Sequence, residues 1–235
     1  KFEAKHGSVE RGKTRRQWKE KLQGMFTQTR GQQQPGYGPS GLNDAQHRDG
    51  RNARKAVEWL NKESFGDKPF FITVGIHKPH VPFIAPQKYF DLYPRRELQF
   101  ELSPGNDWAD IPKMAMVKRF SGFGFELGEE NDPLRREYTQ AYHACVSFVD
   151  AQIGLILDKL KAQKIWDDTI VIFTSDHGYH LGEHFMWGKV TLFEECARVP
   201  LVVRVPGVSK AGTRSGGLVE TIDLFPTLVE LCKLA

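Results

Sequence analysis

The residues best suited to chemistry lie in segment 169–189, which reads TIVIFTSDHGYHLGEHFMWGK. Asp176 and His177 directly follow an apolar, β-branched run at 170–173, a pattern typical of a strand buried on both faces of a sheet. Open α/β sheets bind their ligands beside the carboxyl ends of the strands. A carboxylate oxygen and an imidazole nitrogen placed there can converge on one metal ion. We therefore expect Asp176 and His177 to be metal ligands, and Lys189 to be a cation that returns to the same crevice.

An alternative interpretation of Asp-His-Gly is a simple turn, in which the aspartate caps the turn and Gly178 supplies a positive φ angle. The residues that follow favour a functional site. His180 and His184, together with the bulky Phe185 and Trp187, exceed what a turn requires. We treat His184 as a candidate substrate-binding residue.

Segment 180–184 also matches H-x-x-E-H, the inverted metalloprotease motif. That motif requires a helix, so that both histidines face one side and the glutamate can act on water. Gly178 and Gly182 bracket the segment, and each glycine disfavours a helix by about 1 kcal/mol. A metalloprotease site is therefore not expected.

A second polar strand end is predicted at His77. The apolar run at 70–76 predicts another buried strand, and His77 follows it as Asp176 follows its own strand. We expect the two residues to lie across from each other on adjacent strand ends. Residues 78–112 are rich in proline, which fixes φ, and they predict a stiff binding loop or a lid without specific contacts.

Hydrophobic periodicity and capping signals predict the elements that position these residues. Asn43 or Asp44 can cap a helix, and Asp132 followed by proline marks another helix start. The predicted elements are helices over 43–64, 132–163 and 221–234, the last interrupted by Pro226, and strands over 70–76, 170–173 and 199–205. A long helix leading into a strand favours an α/β fold with a mostly parallel central sheet flanked by helices. We predict a loop-rich segment at 1–42 and an α/β core at 43–235.

Composition narrows the possible functions. The chain has 235 residues, 40% of them apolar and 26% charged, as in a globular domain rather than a disordered chain. Its net charge of +4 suits an anionic substrate but does not indicate a nucleic-acid partner. No run has the length of a transmembrane segment, no signal peptide is expected, and nothing indicates an oligomeric state. Cys145, Cys196 and Cys232 lack metal-binding spacing, and Cys145 is expected in the core.

Several blocks resemble the sulfatase family of the alkaline-phosphatase superfamily. They are T-S-D-H-G-Y-H-L-G-E-H, W-G-K, V-P-L-V-V-R-V-P-G and P-F-F-I-T-V-G-I-H-K-P-H. The resemblance is to the C-terminal part of the catalytic domain, most closely in the iduronate-2-sulfatase-like branch. It implies an alkaline-phosphatase-like fold, hydrolysis of sulfate esters on a sulfated carbohydrate, as in glycosaminoglycan degradation, and a periplasmic, extracellular or lysosomal location.

The resemblance also implies roles for the residues at the two strand ends. Asp176 and His177 match the family's metal ligands, which implies bound Ca²⁺. Because calcium prefers oxygen ligands, the imidazole leaves Zn²⁺ and Mn²⁺ as alternatives. His77 and Lys189 match the catalytic residues that contact sulfate. Lys189 would neutralise charge, and His77 would donate to a sulfuryl or leaving-group oxygen.

Three further residues are expected to bind substrate, namely Lys78, His80 and His184. Residues that precede proline tend to be extended, and side chains alternate in direction along an extended chain. The side chains of Lys78 and His80 would then point to the side opposite that of His77. His80 would then reach a neighbouring group such as a sugar carboxylate. The alternative is that His80 only anchors the loop by bonding a backbone carbonyl.

The nucleophile implied by the resemblance is a formylglycine made from cysteine in a C-x-P-S-R sequence. That sequence does not occur, Cys196-Ala-Arg198 has the wrong order, and the family's N-terminal D-D block is missing. We therefore expect that the N-terminal third of the catalytic domain is missing and that the chain alone is inactive. Hydrolysis of phosphate or phosphonate esters and non-catalytic glycan binding are the alternative functions.

Overall fold

The computed structural model describes residues 28–29, 32–33, 36–61, 65–99, 103–104, 106–115 and 132–234. The segment 1–42, expected to be loop-rich, lies mostly outside these ranges. Helices α1 to α5 span Arg48–Trp59, Gln87–Phe90, Asp132–Ala162, Glu194–Ala197 and Leu224–Leu231. Strands β1 to β8 span Gln28–Thr29, Gln32–Gln33, Tyr37–Pro39, Phe83–Ala85, Val171–Thr174, His180–Leu181, Trp187–Gly188 and Leu201–Arg204.

The long helix α3 lies at the centre of the hydrophobic core. It begins at Asp132, as the Asp-Pro signal predicts, and ends at Ala162. Tyr138, Cys145 and Phe148 recur on one face at helical spacing and are fully buried. Burial of one such large apolar side chain stabilises the fold by about 1.5–3 kcal/mol. The core cluster around them also contains Phe83, Ala85, Tyr89, Phe90, Ala141, Ala144 and Trp187.

The helix predicted at 43–64 is shorter in the structure. Asn43 and Gln46 form a capping box around a 3₁₀ turn, in which each side chain accepts the backbone N–H of the other residue. α1 follows and packs on α3 through a buried face that includes Ala53 and Ala56. The amphipathic pattern therefore predicts the correct face but overestimates the length.

The described strands pair as two-stranded ladders. β3 and β4 are parallel and place Tyr37 opposite Phe83 beside α3. β5 and β8 are antiparallel, with Ile172 opposite Val203, and so are β1–β2 and β6–β7. The predicted α/β class is confirmed, with its parallel pairing in β3–β4 and antiparallel pairing in the other described ladders.

Two strand predictions need correction. Residues 70–76 form neither a helix nor a strand, they pair with no strand in the described part of the chain, and Phe71 is 82% exposed. β5 is half-buried rather than covered on both faces, since Phe173 is 41% exposed. An apolar sequence shows that a strand could be buried on both faces. Its actual burial depends on which helices and strands pack against it.

The C-terminal helix is not interrupted by its proline. α5 begins at Leu224, so Pro226 lies in the first turn, where a backbone N–H has no intrahelical acceptor to lose. The strand predicted at 199–205 is present as β8 but is shorter, since it covers only Leu201–Arg204. Among the helices described, none is long and apolar enough to cross a membrane.

All three cysteines are free thiols. Cys145 and Cys196 are buried and Cys232 is exposed. Burial raises the pKa of the Cys145 thiol to about 12, which keeps the thiol protonated and unreactive at neutral pH. The expectation that Cys145 is a structural core residue is confirmed.

Candidate active site

The Asp-His-Gly turn follows β5 and packs tightly against α4. The Gly178 N–H donates to the Cys196 carbonyl at 2.8 Å, and a Cβ atom on Gly178 would lie 2.0 Å from the Glu195 carbonyl oxygen. Only glycine fits there. Asp176 accepts the His177 backbone N–H at 3.1 Å, and its side chain is 87% exposed. The turn interpretation and the site interpretation are therefore compatible, because a rigid turn presents an accessible carboxylate.

His177 and Lys189 contact each other directly. Nδ1 of His177 lies 2.8 Å from the Gly178 carbonyl oxygen, which can only accept, so Nδ1 carries the proton. The lone pair on Nε2 then faces the Lys189 ammonium at 2.7 Å. A carboxylate oxygen of Asp176 lies 3.7 Å from the same Nε2 atom. The structure thus brings together three residues that the sequence predicts for one site.

The donor atoms of this cluster fit part of a metal site. The Asp176 carboxylate and the Nε2 lone pair of His177 supply an oxygen and a nitrogen donor close to each other. Across the ranges described, no group of three or more His, Cys, Asp and Glu side chains could hold a metal ion. A metal ion bound here could take the Nε2 lone pair of His177 only in place of the Lys189 ammonium, and it would complete its coordination with other groups.

His77 lies in a turn with His80 rather than at the end of a paired strand. The His80 N–H donates to the His77 carbonyl at 3.0 Å, and the two imidazoles stack with centroids 4.5 Å apart. Both oxygens of the buried Asp49 carboxylate accept backbone N–H groups, from His77 at 2.9 Å and from Lys78 at 2.8 Å. Burial, and then the neighbouring His80 and Lys78, lower the pKa of His77. Its imidazole is therefore neutral at pH 7.

Lys78 points into the protein, which does not suit the substrate contact that was expected of it. It is 8% exposed, and its ammonium donates to the carbonyls of His80 and Pro82. Burial lowers the pKa of Lys78. The expected alternation of directions is wrong for His80, because the chain turns between His77 and His80 and the two rings stack on the same side. Nδ1 of His80 lies 2.6 Å from the Val81 carbonyl, the geometry of the loop-anchoring alternative.

His184 is held by Ser103, Asp107 and Trp108. Its Nδ1 lies 2.8 Å from an Asp107 carboxylate oxygen, its N–H donates to Ser103 Oγ at 2.9 Å, and its carbonyl accepts from Trp108 Nε1 at 2.7 Å. Its φ angle of 54° is uncommon outside glycine, and these contacts hold it there. The side chain is 27% exposed. A substrate contact through His184 stays a prediction.

The residues of the H-x-x-E-H motif do not share a helix. His180 belongs to β6, whereas Glu183 and His184 lie in a 3₁₀ turn. His180 Nε2 lies 2.9 Å from Thr191 Oγ1, and Glu183 accepts the Leu181 N–H at 2.6 Å. The expectation that this is not a metalloprotease site is therefore consistent with the local fold.

Aromatic contacts link the Asp-His-Gly turn and the turn that carries His77 to helix α3. Tyr179 follows the Asp-His-Gly turn, and Phe83 follows the turn that carries His77. The rings of Phe83 and Tyr179 meet edge to face with centroids 5.8 Å apart. Both rings also contact Tyr142 of α3, at 5.6 Å and 5.8 Å. One helix therefore supports both segments, while the placement of His77 across from Asp176 stays a prediction.

Sequence reasoning missed two carboxylates at this site, Asp49 and Asp107. Asp49 lies at helical spacing with Ala53 and Ala56 on the buried face of α1. A charged residue on an otherwise apolar face indicates a buried partner, and this signal is present in the sequence. Asp107 carries no such signal, because it lies in a loop and its partner His184 is 77 residues away.

Comparison with known proteins establishes the family. The family model described as Sulfatase matches residues 11–234. The chain belongs to the sulfatase family. Iduronate 2-sulfatases from Mus musculus and Homo sapiens are each 32% identical over 220 residues, which cover 79% of this chain and 40% of the relative. A sulfatase from Formosa agariphila is 36% identical over 189 residues, which cover 77% of this chain and 36% of the relative.

Solved structures share the fold of this sulfatase. A phosphonate monoester hydrolase from Silicibacter pomeroyi has a TM-score of 0.71 and 27% identity, over 82% of this chain and 39% of that one. The phosphonate monoester hydrolase of Agrobacterium radiobacter has a TM-score of 0.65 and 27% identity, over 80% of this chain and 39% of that one. The predicted family and the alkaline-phosphatase-like fold are confirmed. This sulfatase chain spans less than half the length of the relatives it matches.

Proposed function

We propose that the protein containing this sulfatase chain removes sulfate from a sulfated sugar. The observation that carries the proposal is the cluster of Asp176, His177 and Lys189 at the end of β5. In this cluster the Lys189 ammonium lies beside two side chains that can donate to a metal ion. Such a cluster suits a sulfuryl group, because the negative charge on its oxygens must be neutralised in the transition state. The identity of 32% to iduronate 2-sulfatases supports a sulfated uronic acid as substrate.

Lys189 and His77 have different roles in this proposal. The Lys189 ammonium neutralises a sulfuryl oxygen. His77 is neutral at pH 7 because its pKa is lowered, so it donates an N–H hydrogen bond to a sulfuryl or leaving-group oxygen without carrying charge. Both groups stabilise charge only if they are held in place before the reaction. The bonds of Asp49 to the backbone at His77 provide that preorganisation for His77. Lys189 is held by His177 in this structure, and a cation bound to His177 would replace that contact.

A divalent cation and a formylglycine belong to the proposal. Asp176 and His177 would hold the cation, with Ca²⁺ preferred and Zn²⁺ or Mn²⁺ as alternatives. When bound, the cation supplies Lewis-acid stabilisation of the sulfuryl oxygens. The chain contains no C-x-P-S-R sequence, so we expect it to be inactive by itself. For the whole protein we propose a periplasmic, extracellular or lysosomal location.

Hydrolysis of phosphonate or phosphate esters is a second candidate function. It is favoured by the TM-score of 0.71 to a phosphonate monoester hydrolase. Sulfate and phosphonate monoesters both present anionic oxygens to a cation, so the same cluster suits either group. A sulfate monoester and a phosphonate monoester carry the same charge but differ in the central atom and in the number of oxygens that share the charge, so the two candidates are separated by comparing rates on both substrates.

The test compares substrates on the full-length protein that contains this chain. We expect kcat/KM to be highest for a 2-sulfated iduronate disaccharide, lower for an aryl sulfate and lowest for an aryl phosphonate monoester. Faster hydrolysis of the phosphonate would select the second candidate. Tight binding of the sulfated disaccharide without hydrolysis, in protein shown by mass spectrometry to contain formylglycine, would instead select a non-catalytic glycan-binding protein.

A further inference from the structure

Two buried side chains of opposite charge brace the turn that carries His77. We propose that Asp49 and Lys78 are positioning residues, which hold His77 against His80 in the orientation that contacts a sulfuryl oxygen. The proposal rests on the proposed function for its ligand. The bracing itself rests on the contacts of the turn, so the two can be tested separately.

Asp49 fixes the beginning of the turn. Its side chain is 2% exposed, and its two oxygens accept the N–H groups of His77 at 2.9 Å and Lys78 at 2.8 Å. These N–H groups belong to the peptide planes on either side of His77. Because a peptide unit is planar, fixing both planes fixes both backbone dihedrals of His77 and the direction of its side chain. Hydrogen bonds to a carboxylate are stronger than neutral ones, which makes Asp49 an effective clamp.

Lys78 fixes the end of the turn. Its buried ammonium donates to the carbonyls of His80 at 3.2 Å and of Pro82. A buried ammonium is destabilising unless its donors are used, and here they bind backbone groups rather than a ligand. Asp49 therefore holds N–H groups at one end of the turn, and Lys78 holds carbonyl groups at the other.

His80 supports the imidazole of His77 from a third side. The two rings stack with an interplanar angle of 24°. Nδ1 of His80 lies 2.6 Å from the Val81 carbonyl, so the supporting ring is itself held by the backbone. His80, Lys78 and Arg48 all lower the pKa of His77, after the larger effect of burial, whereas Asp49 raises it. The two bracing residues therefore have opposite electrostatic effects on one imidazole.

Four substitutions separate positioning from simple stabilisation. Asp49→Asn preserves the size of the side chain but turns an NH₂ group toward one of the backbone N–H groups. Lys78→Met preserves the length and removes the ammonium. Asp158→Asn, at an exposed position of α3, is the control matched in charge. Ala56→Gly, at a buried position of α1 away from the turn, is the control for lost stability.

The readouts are the pKa of the His77 imidazole, from NMR titration of the full-length protein labelled at histidine, and its affinity for inorganic sulfate. We expect Asp49→Asn to lower the pKa and Lys78→Met to raise it. Each should weaken sulfate binding roughly tenfold or more, since a misplacement of about 1 Å can cost 10²-fold in a site of this kind. Both control variants should retain the wild-type pKa of His77 and the wild-type sulfate affinity.

Two results would overturn the positioning roles. One is a sulfate affinity that falls as much in Ala56→Gly as in Asp49→Asn. The other is a pKa of His77 that does not move in opposite directions in Asp49→Asn and Lys78→Met. Should one variant fail to fold, the direction of the shift in the other decides. A wild-type protein that neither binds inorganic sulfate nor hydrolyses a sulfate ester would overturn the proposed function, and the pKa shifts of His77 would still test the bracing.

Discussion

The ammonium of Lys189 lies 2.7 Å from Nε2 of His177, the ring atom that also faces the Asp176 carboxylate at 3.7 Å. The expected sulfate-contacting cation and the expected metal ligands therefore form one cluster. Because the ammonium and the carboxylate both lie within 3.7 Å of the same ring nitrogen, a change at one of these residues alters the charge that a substrate meets beside the other two.

Removal of the Lys189 ammonium from this cluster should abolish most of the activity. In the full-length protein we expect Lys189→Ala to lower kcat on a sulfate ester about 10²–10³-fold, because loss of one preorganised group at a developing oxyanion costs about 2.7–4 kcal/mol. Lys161→Ala, at an exposed position near the end of α3, is the matched control. A kcat within roughly twofold of wild type, well under 1 kcal/mol, would remove Lys189 from the site.

The Asp-His-Gly turn should not tolerate a side chain at Gly178. A Cβ atom there would lie 2.0 Å from the Glu195 carbonyl, so Gly178→Ala must displace the turn or α4. We expect a loss of at least about 1–3 kcal/mol in the free energy of unfolding, as for other overpacked sites, measured by urea denaturation. Gly154→Ala is the matched control, because its Cβ would meet open space on α3. It should be neutral or stabilising by up to about 1 kcal/mol, and an equal loss in both variants would contradict the steric argument.

His80 should behave as a loop anchor. Its Nδ1 bonds the Val81 carbonyl, and loss of such a bond destabilises a protein by about 0.5–1.5 kcal/mol. We therefore expect His80→Gln to lower the melting temperature of the full-length protein and to change kcat/KM by the same factor on a uronic-acid sulfate and on a small aryl sulfate. A selectively larger loss on the uronic-acid sulfate would instead indicate a contact with the sugar carboxylate.

Buried His47 should make the protein less stable in mild acid. It is 1% exposed, with Nε2 2.8 Å from Ser40 Oγ and its ring 5.0 Å from that of Phe148. Burial, followed by the charge of Lys78, lowers the pKa of His47 to about 4. An unfolded histidine has a pKa of about 6.5, so between these values the unfolded state binds more protons. The stability contributed by neutral His47 is complete above about pH 6.5 and falls as the pH drops through about 4.

The loss attributable to His47 should be on the order of 2–3 kcal/mol between pH 7 and pH 4. It is measured as the difference in the pH dependence of unfolding between wild type and His47→Gln. Other histidines with a lowered pKa, such as His143 and His180, act in the same direction in both proteins and cancel in this difference. Parallel stability curves for the two proteins would show that His47 does not titrate on unfolding.

Short-range features were predictable because they depend on neighbours in the chain. The start of α3 at Asp132 follows from a cap and a proline, and its buried face follows from a spacing repeated over 31 residues. The cluster of Asp176, His177 and Lys189 was predictable for a similar reason. His177 and Lys189 are 12 residues apart, and the short β6–β7 ladder between them brings the chain back.

Contacts between distant segments were decided only by the tertiary structure. The apolar run at 70–76 predicts a buried strand. A strand also needs a neighbouring strand to pair with, and the composition of the run does not show whether such a neighbour exists. The sequence predicts that Lys78 binds substrate from a loop. In the structure a turn directs its side chain inward, where it donates to backbone carbonyls. Asp49 meets the N–H groups of His77 and Lys78 from 28 and 29 residues away. Local sequence therefore determined the family motifs and the helices, whereas the direction of a side chain depended on which distant groups were present to satisfy its charge.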